Sequence, residues 1–499
     1  MPSACRRVTI LVTDACVGRT ACAALIEKER VQMSTIIHFG TGGWYARRDG
    51  DFTEENVVRL ADAAAQMWSR TDSGAIVYIG YDTREGAEQA ARLAGMVVAG
   101  AGLVAMISDR YTPTSALSWA IANDPRACGG LMITGSNHSS DYLGIKVRMA
   151  DGGTGTADVI DALEESIPFE ATEARGPLIE KDIVSPYLES LFSNIDTQAI
   201  AEAGLQLVYD PMYGSARGYL PAVLGPLGVQ TIEIHGTDEP DAQTLRPEPI
   251  EPWVDDCERM VLSSKAHAGL ICDGDGSRIS AVDERGRYID AHRVFTLVLG
   301  HLVKHHGAHG RVAMGLTGSI QTRRMARELG LPLAIKPIGF KYIYEEMVKG
   351  GVIIGGEETG GIGFPERFPG RDGLYAHVLL CEMMAKEHKT LGQLIDELDE
   401  HYGPVAYARR DIRLQNEEVE MLRTLMPGLN PQNIVGRAPV HVSHRDGLRM
   451  EFDDESWLLL RPSGTEPVVR IYAEAGTIEL RDEMLEAGTA IVKGEYGGI

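Results

Sequence analysis

From about residue 36 to the end, short apolar runs alternate with longer stretches in which apolar residues recur at helical spacing. The first pattern predicts buried strands and the second amphipathic helices, so the chain reads as α/β. Apolar runs cover residues 76–79, 131–133, 205–209, 270–272 and 352–354. Each stops at polar or Gly-rich residues: Gly80-Tyr81-Asp82, Thr134-Gly135-Ser136, Asp210, Asp273-Gly274-Asp275 and Gly355-Gly356-Glu357. Ligands of open α/β sheets bind outside the carboxyl ends of strands, so these loops are where chemistry is expected. Val57, Leu60, Ala61, Ala64 and Trp68 predict one helix, with Glu54 and Glu55 in its first turn where the helix dipole favours acids. Residues 323–329 and 374–386 predict two more. The tail changes pattern: strands over 457–460 and 468–473, joined by the turn Pro462-Ser463-Gly464, precede a helix near 479–493.

Boundaries near residues 185, 290 and 403 divide the chain into segments 34–185, 186–290, 291–403 and 404–499, and the 499-residue length suits that division. Residues 1–33 read as an upstream extension, with Met33 as the natural start. Arg6 and Arg7 precede an apolar run that Asp14 breaks too early for a secretion signal. A targeting segment and an extra helix near 20–30 are the alternatives. A hydrophobic fraction of 44% against 24% charged residues excludes disorder over most of the length.

The 71 acidic residues outnumber the 48 Lys and Arg, giving a net charge of −23, which argues against nucleic acid or an anionic membrane as partner. It leaves a phosphorylated substrate open, because a local Arg/Lys pocket can sit inside an acidic shell. No transmembrane run of apolar residues occurs. Seven cysteines without a C-x-x-C pair point away from a disulfide framework or structural zinc, and a cytoplasmic location is expected. P-loop and dinucleotide-binding fingerprints are missing. His305 and His306 read as a solvated helix end.

Four loops carry candidate chemistry. In Thr134-Gly135-Ser136-Asn137-His138-Ser139 a serine follows a strand directly, with His138 near and Lys146 beyond it. It reads either as a nucleophilic or phosphate-carrying serine, or as a polar turn. In Asp273-Gly274-Asp275-Gly276-Ser277-Arg278 two carboxylates separated by Gly can turn toward one hard cation, and Arg278 can meet a phosphate oxygen; the alternative is a turn closing a strand. In Gly355-Gly356-Glu357-Glu358-Thr359-Gly360-Gly361, Glu357 and Thr359 offer acceptors and a donor suited to sugar hydroxyls, on a loop that also reads as a solvated turn. In Arg461-Pro462-Ser463-Gly464-Thr465-Glu466-Pro467, an arginine, two hydroxyls and the amides of a tight turn make either an anion nest or a plain hairpin. Lys341, in Gly339-Phe340-Lys341-Tyr342, stands near a helix start.

Taken together and in this order, these loops resemble those of the α-D-phosphohexomutase superfamily, the phosphoglucomutase/phosphomannomutase enzymes. Further motifs carry the likeness: Phe39-Gly40-Thr41-Gly42-Gly43-Trp44, Phe52-Thr53-Glu54-Glu55-Asn56, Tyr81-Asp82-Thr83-Arg84, Asp141-Tyr142-Leu143-Gly144-Ile145-Lys146, Asp210-Pro211-Met212-Tyr213-Gly214 and Arg371-Asp372-Gly373. The resemblance implies three α/β domains with mixed sheets plus a smaller C-terminal α+β domain around a central cleft, each giving one loop.

The implied enzyme is an intramolecular phosphotransferase that interconverts a hexose 1-phosphate and a hexose 6-phosphate through a phosphoserine and a bisphosphorylated sugar. Glucose is favoured and mannose is open. By resemblance Ser136 carries the phosphoryl group, Lys146 is the general base, Arg278 contacts the transferring group, and His138 belongs to the catalytic set. Mg²⁺ falls to Ser136, Asp273, Asp275 and Ser277, and a sugar 1,6-bisphosphate is the activator. Glu357 and Thr359 hold ring hydroxyls, Lys341 helps choose the sugar, and Arg461, Ser463, Gly464 and Thr465 grip the unreactive phosphate. The partner is a small sugar phosphate, and the protein is expected as a monomer or homodimer.

The chain departs from the family pattern at several points. Asn137 and His138 are swapped and Ser139 replaces Pro; Ser277 stands where a third Asp is expected; Tyr45 stands where an Arg is expected, with Arg47 two residues on; Thr359 replaces Ser. These departures leave room for a divergent mutase acting on a pentose or amino sugar phosphate, for a non-catalytic sugar-phosphate sensor, and for a metal-dependent phosphatase using Asp273.

Overall fold

Four β-sheets follow one another along the chain, each built from consecutive strands. The computed structural model describes residues 36–40, 42–70, 74–238, 245–464 and 466–496; the expected extension over 1–33 and Thr465 lie outside the described residues. Sheet one holds β1 (Trp44–Arg47), β2 (Ile76–Tyr81), β3 (Val104–Ser108), β4 (Ala127–Ile133), β5 (Tyr142–Met149) and β6 (Ile179–Lys181), in the order β1-β5-β4-β2-β3-β6. Sheet two holds β7 (Gln206–Asp210), β8 (Gln230–Glu233), β9 (Ala268–Cys272), β10 (Ile279–Asp283) and β11 (Tyr288–Ile289), in the order β11-β10-β9-β7-β8. Sheet three holds β12 (Arg311–Gly315), β13 (Leu333–Lys336), β14 (Val352–Gly356), β15 (Ile362–Phe364) and β16 (Phe368–Arg371), in the order β13-β12-β14-β15-β16. Sheet four is antiparallel throughout, with β17 (Ala406–Arg413), β18 (His441–Ser443), β19 (Leu448–Glu451), β20 (Trp457–Pro462) and β21 (Val468–Ala475).

The apolar runs of the sequence fall on β2, β4, β7, β9, β14, β20 and β21 for a physical reason. Central strands covered on both faces read as continuous apolar segments. All six residues of β2 are buried. Val77 and Ile79 pack with helices Glu54–Ser69 and Ala87–Gly100, while Ile76 and Tyr78 pack with helix Thr114–Ala122. The expected helix over 54–68 is present, and its N-cap Thr53 accepts a hydrogen bond from the Asn56 amide.

One topological unit recurs three times. A parallel pair of strands meets an antiparallel partner through a short turn: β4 to β5, β9 to β10, and β14 to β15. The candidate serine, aspartate and glutamate loops are those three turns, and the fourth loop joins β20 to β21 in the same manner. This recurrence is invisible to a search for short sequence repeats, because it conserves strand order rather than residues.

Sheets two and three share one hydrophobic core. Helix Gly373–Glu387 is buried along almost its whole length between them, and the His377 ring meets Tyr209 edge-on. That packing corrects the expectation for His305 and His306. Helix Ala291–His306 ends against helix Gly373–Glu387, whose carboxylates need donors there. His305 Nε2 lies 2.5 Å from Glu387, and His301 and His306 Nε2 lie 2.8 and 2.7 Å from one oxygen of Glu382. Sheet four docks onto sheet three through Glu474 of β21. This fully buried carboxylate accepts from Ser319 Oγ at 2.6 Å and the Ile320 amide at 2.7 Å, at the start of helix Ile320–Glu328, and from Trp457 Nε1 at 3.0 Å. No described helix is long and apolar enough to cross a membrane.

Candidate active site

The serine loop is held by the Tyr81-Asp82-Thr83-Arg84 segment at the end of β2. Asp82, buried, accepts from Thr134 Oγ1 at 2.7 Å and the Gly135 amide at 3.1 Å, and pairs with Arg84. Arg84 in turn donates to the backbone carbonyls of Ser136, His138, Ser139 and Tyr142. A Cβ at position 135 would sit 2.3 Å from the Arg84 guanidinium, so any side chain there would push Arg84 off the loop carbonyls. The loop thus forces Ser136 to φ 49°, a left-handed conformation that an L-residue adopts only when its surroundings hold it.

Ser136 Oγ lies at the meeting point of four charged groups. It sits 3.2 Å from Asp273 Oδ2, 3.3 Å from Asp275 Oδ1, 3.2 Å from Lys146 Nζ and 2.9 Å from an Arg278 nitrogen. Two sheet-end turns, strand β5 and the start of helix Thr114–Ala122 supply this cluster and its supports. Lys146 comes from β5 and is paired with Asp275; Thr114, at the start of its helix, also donates to Asp275 at 2.5 Å. Arg278 pairs with Asp273 at 2.9 Å, and the amides of Ser277 and Arg278 donate to Asp273 Oδ1. Close approach of the two loops needs glycine at 274, where a Cβ would meet the Ser136 carbonyl at 2.5 Å. Ser277 Oγ stands 3.4 Å from Asp273 Oδ2.

Burial sets the proton affinities. It lowers the Lys146 ammonium to about 8, against the opposing pull of Asp275. Burial would raise Asp275, but Lys146 and Thr114 hold it well below the usual carboxylate range. Asp273 is pushed up by burial and by the neighbouring Asp275 charge, with Arg278 opposing. Asp275 is therefore the firmly ionised member of the pair.

His138 is not brought to the Ser136 hydroxyl. Its ring stacks on Tyr45 at 4.5 Å and lies 5.4 Å from Tyr142, with Nδ1 at 3.0 Å from the Gly135 carbonyl. Burial lowers it to about 4, so the imidazole is neutral at pH 7. The ring packs with two aromatic neighbours behind the loop. Tyr45 on β1 pairs in register with Gly144 of β5, and a Cβ at 144 would strike the Tyr45 ring.

The glutamate loop adjoins this centre. Arg278 forms an isolated antiparallel bridge with Gly361, and the Ile279 amide donates to Gly360. Glu357 is paired with Arg371 at 2.7 Å, both side chains nearly buried. Thr359 Oγ1 is buried without a hydrogen-bond partner among the described residues, which leaves a hydroxyl to be satisfied by a ligand. Lys341, at the start of helix Phe340–Met347, lies 5.2 Å from the Tyr342 ring centre and has no carboxylate partner among the described residues.

The fourth loop faces the third: Arg461 is paired with Asp446 at 2.9 Å and feels the charge of Glu358. Arg470, opposite Arg461 in register, is held by Glu466 at 2.6 Å. Ser463 accepts from the Glu466 amide at 3.3 Å, and Gly464 is exposed.

The donor set fits a magnesium ion. Mg²⁺ is commonly held by one or two carboxylates plus phosphate oxygens and water, and two aspartates converge on the hydroxyl that would carry phosphate. Ser277 in place of a third carboxylate keeps the local charge balanced, because Asp273 and Asp275 are already matched by Arg278 and Lys146. The His301, His306 and Glu382 cluster, by contrast, lies between helices away from these loops. Sequence reading missed Asp82, Arg84, Thr114 and Arg371 as working parts. Asp82, Arg84 and Arg371 stood in motifs that carried the resemblance without a role; Thr114 gave no signal, since its contact with Asp275 spans two sheets.

The comparisons with known proteins agree with this layout. Phosphoglucomutase/phosphomannomutase alpha/beta/alpha domains I, II and III match residues 37–174, 185–286 and 290–402, and the C-terminal domain of the same family matches 416–487. A phosphoglucomutase/phosphomannomutase of Thermococcus kodakarensis is 28% identical over 464 residues, spanning 91% of this chain and 98% of that protein. A phosphoglucosamine mutase of Carboxydothermus hydrogenoformans is 25% identical over 465 residues, spanning 91% and 99%. The crystal structure of a Thermus thermophilus protein provisionally named a phosphomannomutase superposes with a TM-score of 0.83 at 30% identity, covering 93% of this chain and 100% of that one. Four family domains in the same order along one chain, with a polar turn at the end of each sheet, mean that this protein belongs to the phosphoglucomutase/phosphomannomutase family of the α-D-phosphohexomutase superfamily, the intramolecular phosphotransferases of hexose phosphates.

Proposed function

We propose that the protein interconverts hexose 1-phosphate and hexose 6-phosphate, with glucose as the preferred sugar, through a phosphorylated Ser136. The observation that carries this reading is the Ser136 hydroxyl, buried and set among two aspartates, a lysine and an arginine. A serine held there in a strained conformation is positioned for phosphoryl exchange, and the charges around it suit an anionic group in transfer.

In the forward direction the Ser136 Oγ–P bond breaks as the sugar O6 takes the phosphoryl group, and the O6 proton passes to Lys146 Nζ. The resulting 1,6-bisphosphate turns in the cleft. Its O1–P bond then breaks as Ser136 Oγ takes that group, and Lys146 returns the proton to O1. With Lys146 lowered to about 8, roughly a tenth of it is neutral at pH 7 and able to accept a proton. Arg278 bridges Asp273 and the hydroxyl, so it stays aligned on the transferring oxygens. Phosphorylated Ser136, Asp273 and Asp275 would hold Mg²⁺, which when bound withdraws charge from the phosphoryl oxygens. Glu357 and Thr359 would bind ring hydroxyls, and the Arg461 loop the phosphate that is not reacting. A sugar 1,6-bisphosphate would prime the serine.

The test is turnover of glucose 1-phosphate, mannose 1-phosphate and glucosamine 1-phosphate, each with Mg²⁺ and a trace of the matching bisphosphate, followed by detection of the 6-phosphate. The highest kcat/KM is expected on glucose 1-phosphate; turnover of glucosamine 1-phosphate alone would give the chain to the amino sugar instead, and release of inorganic phosphate would indicate a phosphatase.

Two substitutions refine the reading. Ser277→Asp adds a third carboxylate and should tighten Mg²⁺ binding by about tenfold in calorimetry; unchanged affinity would place the ion elsewhere. Lys341→Ala removes a cation with no carboxylate partner among the described residues. It should raise KM for the sugar phosphate about tenfold or more while leaving Mg²⁺ affinity unchanged, since a charge-assisted contact contributes about 1.5–3 kcal/mol. Equal losses in both would remove Lys341 from substrate recognition.

A further inference from the structure

The Ser136 centre and the adjoining glutamate loop contain three carboxylates that are each paired with a cation, and a fourth, Glu358, that accepts from Thr317 Oγ1 at 2.8 Å. Lys146 is on Asp275, Arg278 on Asp273 and Arg371 on Glu357. A fourth cation, Arg148, is left over. It is 5% exposed, and the single hydrogen bond it makes among the described residues is to the carbonyl of its own neighbour Val147, at 3.3 Å.

Its position follows from strand alternation. Leu143, Ile145 and Val147 of β5 fill the core against helices Glu54–Ser69 and Ala87–Gly100. Gly144, Lys146 and Arg148 therefore share the opposite face, the one on which Lys146 reaches Asp275 and Ser136. Tyr45 is the cross-strand partner of Gly144 and lies on that face too. The ionisable groups whose charge can act on Arg148 are Asp275, Arg371, Tyr45 and Asp151, of which Tyr45 is kept neutral by burial. None forms an ion pair with it among the described residues: Asp275 is taken by Lys146, and Asp151, held by the Gly153 amide at 2.8 Å and the Tyr344 hydroxyl at 3.0 Å, acts on Arg148 only from beyond ion-pair distance. Burial accordingly lowers the guanidinium to about 10. A buried guanidinium without a paired carboxylate weakens the empty fold, and an arriving anion would relieve that penalty.

We propose that Arg148 is a substrate-contacting residue that receives a phosphoryl group of the sugar phosphate beside Lys146, supplying from β5 the cation that Tyr45 does not supply from β1. The proposal rests on the mutase reading above for its substrate, and on the unmatched charge for its place. It gives the chain a phosphate contact on the strand that also carries the base, so that both move as one rigid piece.

Arg148→Met tests it, because a structural arginine and a phosphate-binding arginine respond in opposite directions. Removing an unmatched buried charge should leave the melting temperature of the ligand-free protein equal to or above that of the wild type. The same change should lower kcat/KM about a hundredfold, the usual size for one donor to a transferring group. Anion binding is read separately, as the rise in melting temperature that inorganic phosphate gives to dephosphorylated protein in an Arg461→Ala background. Arg148→Met should abolish that rise, and Arg148→Lys, which keeps the charge but not the planar fork, should reduce it. A melting temperature that falls on Arg148→Met together with an unchanged phosphate response would overturn the proposal, as would an Arg461→Ala protein that does not respond to phosphate at all. If the wild type turns over no hexose phosphate, the mutase reading fails by itself, and the phosphate response still decides whether Arg148 is the anion site.

Discussion

Ser136→Ala should abolish interconversion, with kcat reduced by about 10⁴-fold or more, while the protein stays folded. The hydroxyl is the acceptor and donor of the phosphoryl group in the proposed cycle, and it lies within hydrogen-bond distance of Asp273, Asp275, Lys146 and Arg278 together. A lost nucleophile cannot be replaced by better alignment of the remaining groups, so the effect falls on kcat rather than on KM. The backbone at 136 is held by Arg84 through carbonyls that alanine retains, so the loop keeps its shape. Isomerase turnover surviving in this variant would exclude the phosphoserine route.

Lys146→Met should bring the second largest loss, about 10³-fold in kcat, and should also destabilise the fold. Lys146 and Asp275 are both essentially buried, and breaking such a pair from one side leaves an unmatched charge that costs about 3–5 kcal/mol. Lys146→Met/Asp275→Asn should therefore recover most of the stability and none of the activity. The pH response separates the roles further. Because folding lowers Lys146 to about 8 from an unfolded value of ~10.4, the unfolded chain binds the extra proton between these limits. Stability from this group consequently rises as pH rises from 8 toward 10, and the variant lacks that rise. Wild-type kcat/KM should climb with an apparent pKa near 8, and a flat profile would contradict Lys146 as the base.

Strands and loops were legible in the sequence because β2, β4, β9 and β14 are buried on both faces and end abruptly at polar turns. Ser136, Lys146, Asp273, Asp275 and Arg278 were legible for the same reason, each standing in or beside such a turn. What stayed hidden depends on contacts between distant segments. Arg84 grips the serine loop across 52 residues and Thr114 reaches Asp275 across 161, and neither residue type announces such a partner. The ring direction of His138 was not legible either, because proximity in sequence to Ser136 does not give it, and the ring packs on Tyr45. His305 and His306 misled because polar residues at a helix end are ordinarily solvated, whereas this end abuts the buried Glu382 and the half-buried Glu387 of another helix. Arg148 was overlooked since alternation along β5 reveals its face only once Lys146 is fixed to the site.

The central claim is that position 136 carries and exchanges a phosphoryl group. The most direct measurement is intact-mass and peptide mass spectrometry of the wild type and of Ser136→Ala after incubation with glucose 1,6-bisphosphate and Mg²⁺. The account predicts one added phosphoryl group on the wild type, mapped to the peptide containing Ser136 and discharged by excess glucose 1-phosphate, and none on the variant. A wild type that stays unmodified, or a phosphoryl group found on another residue, would contradict it.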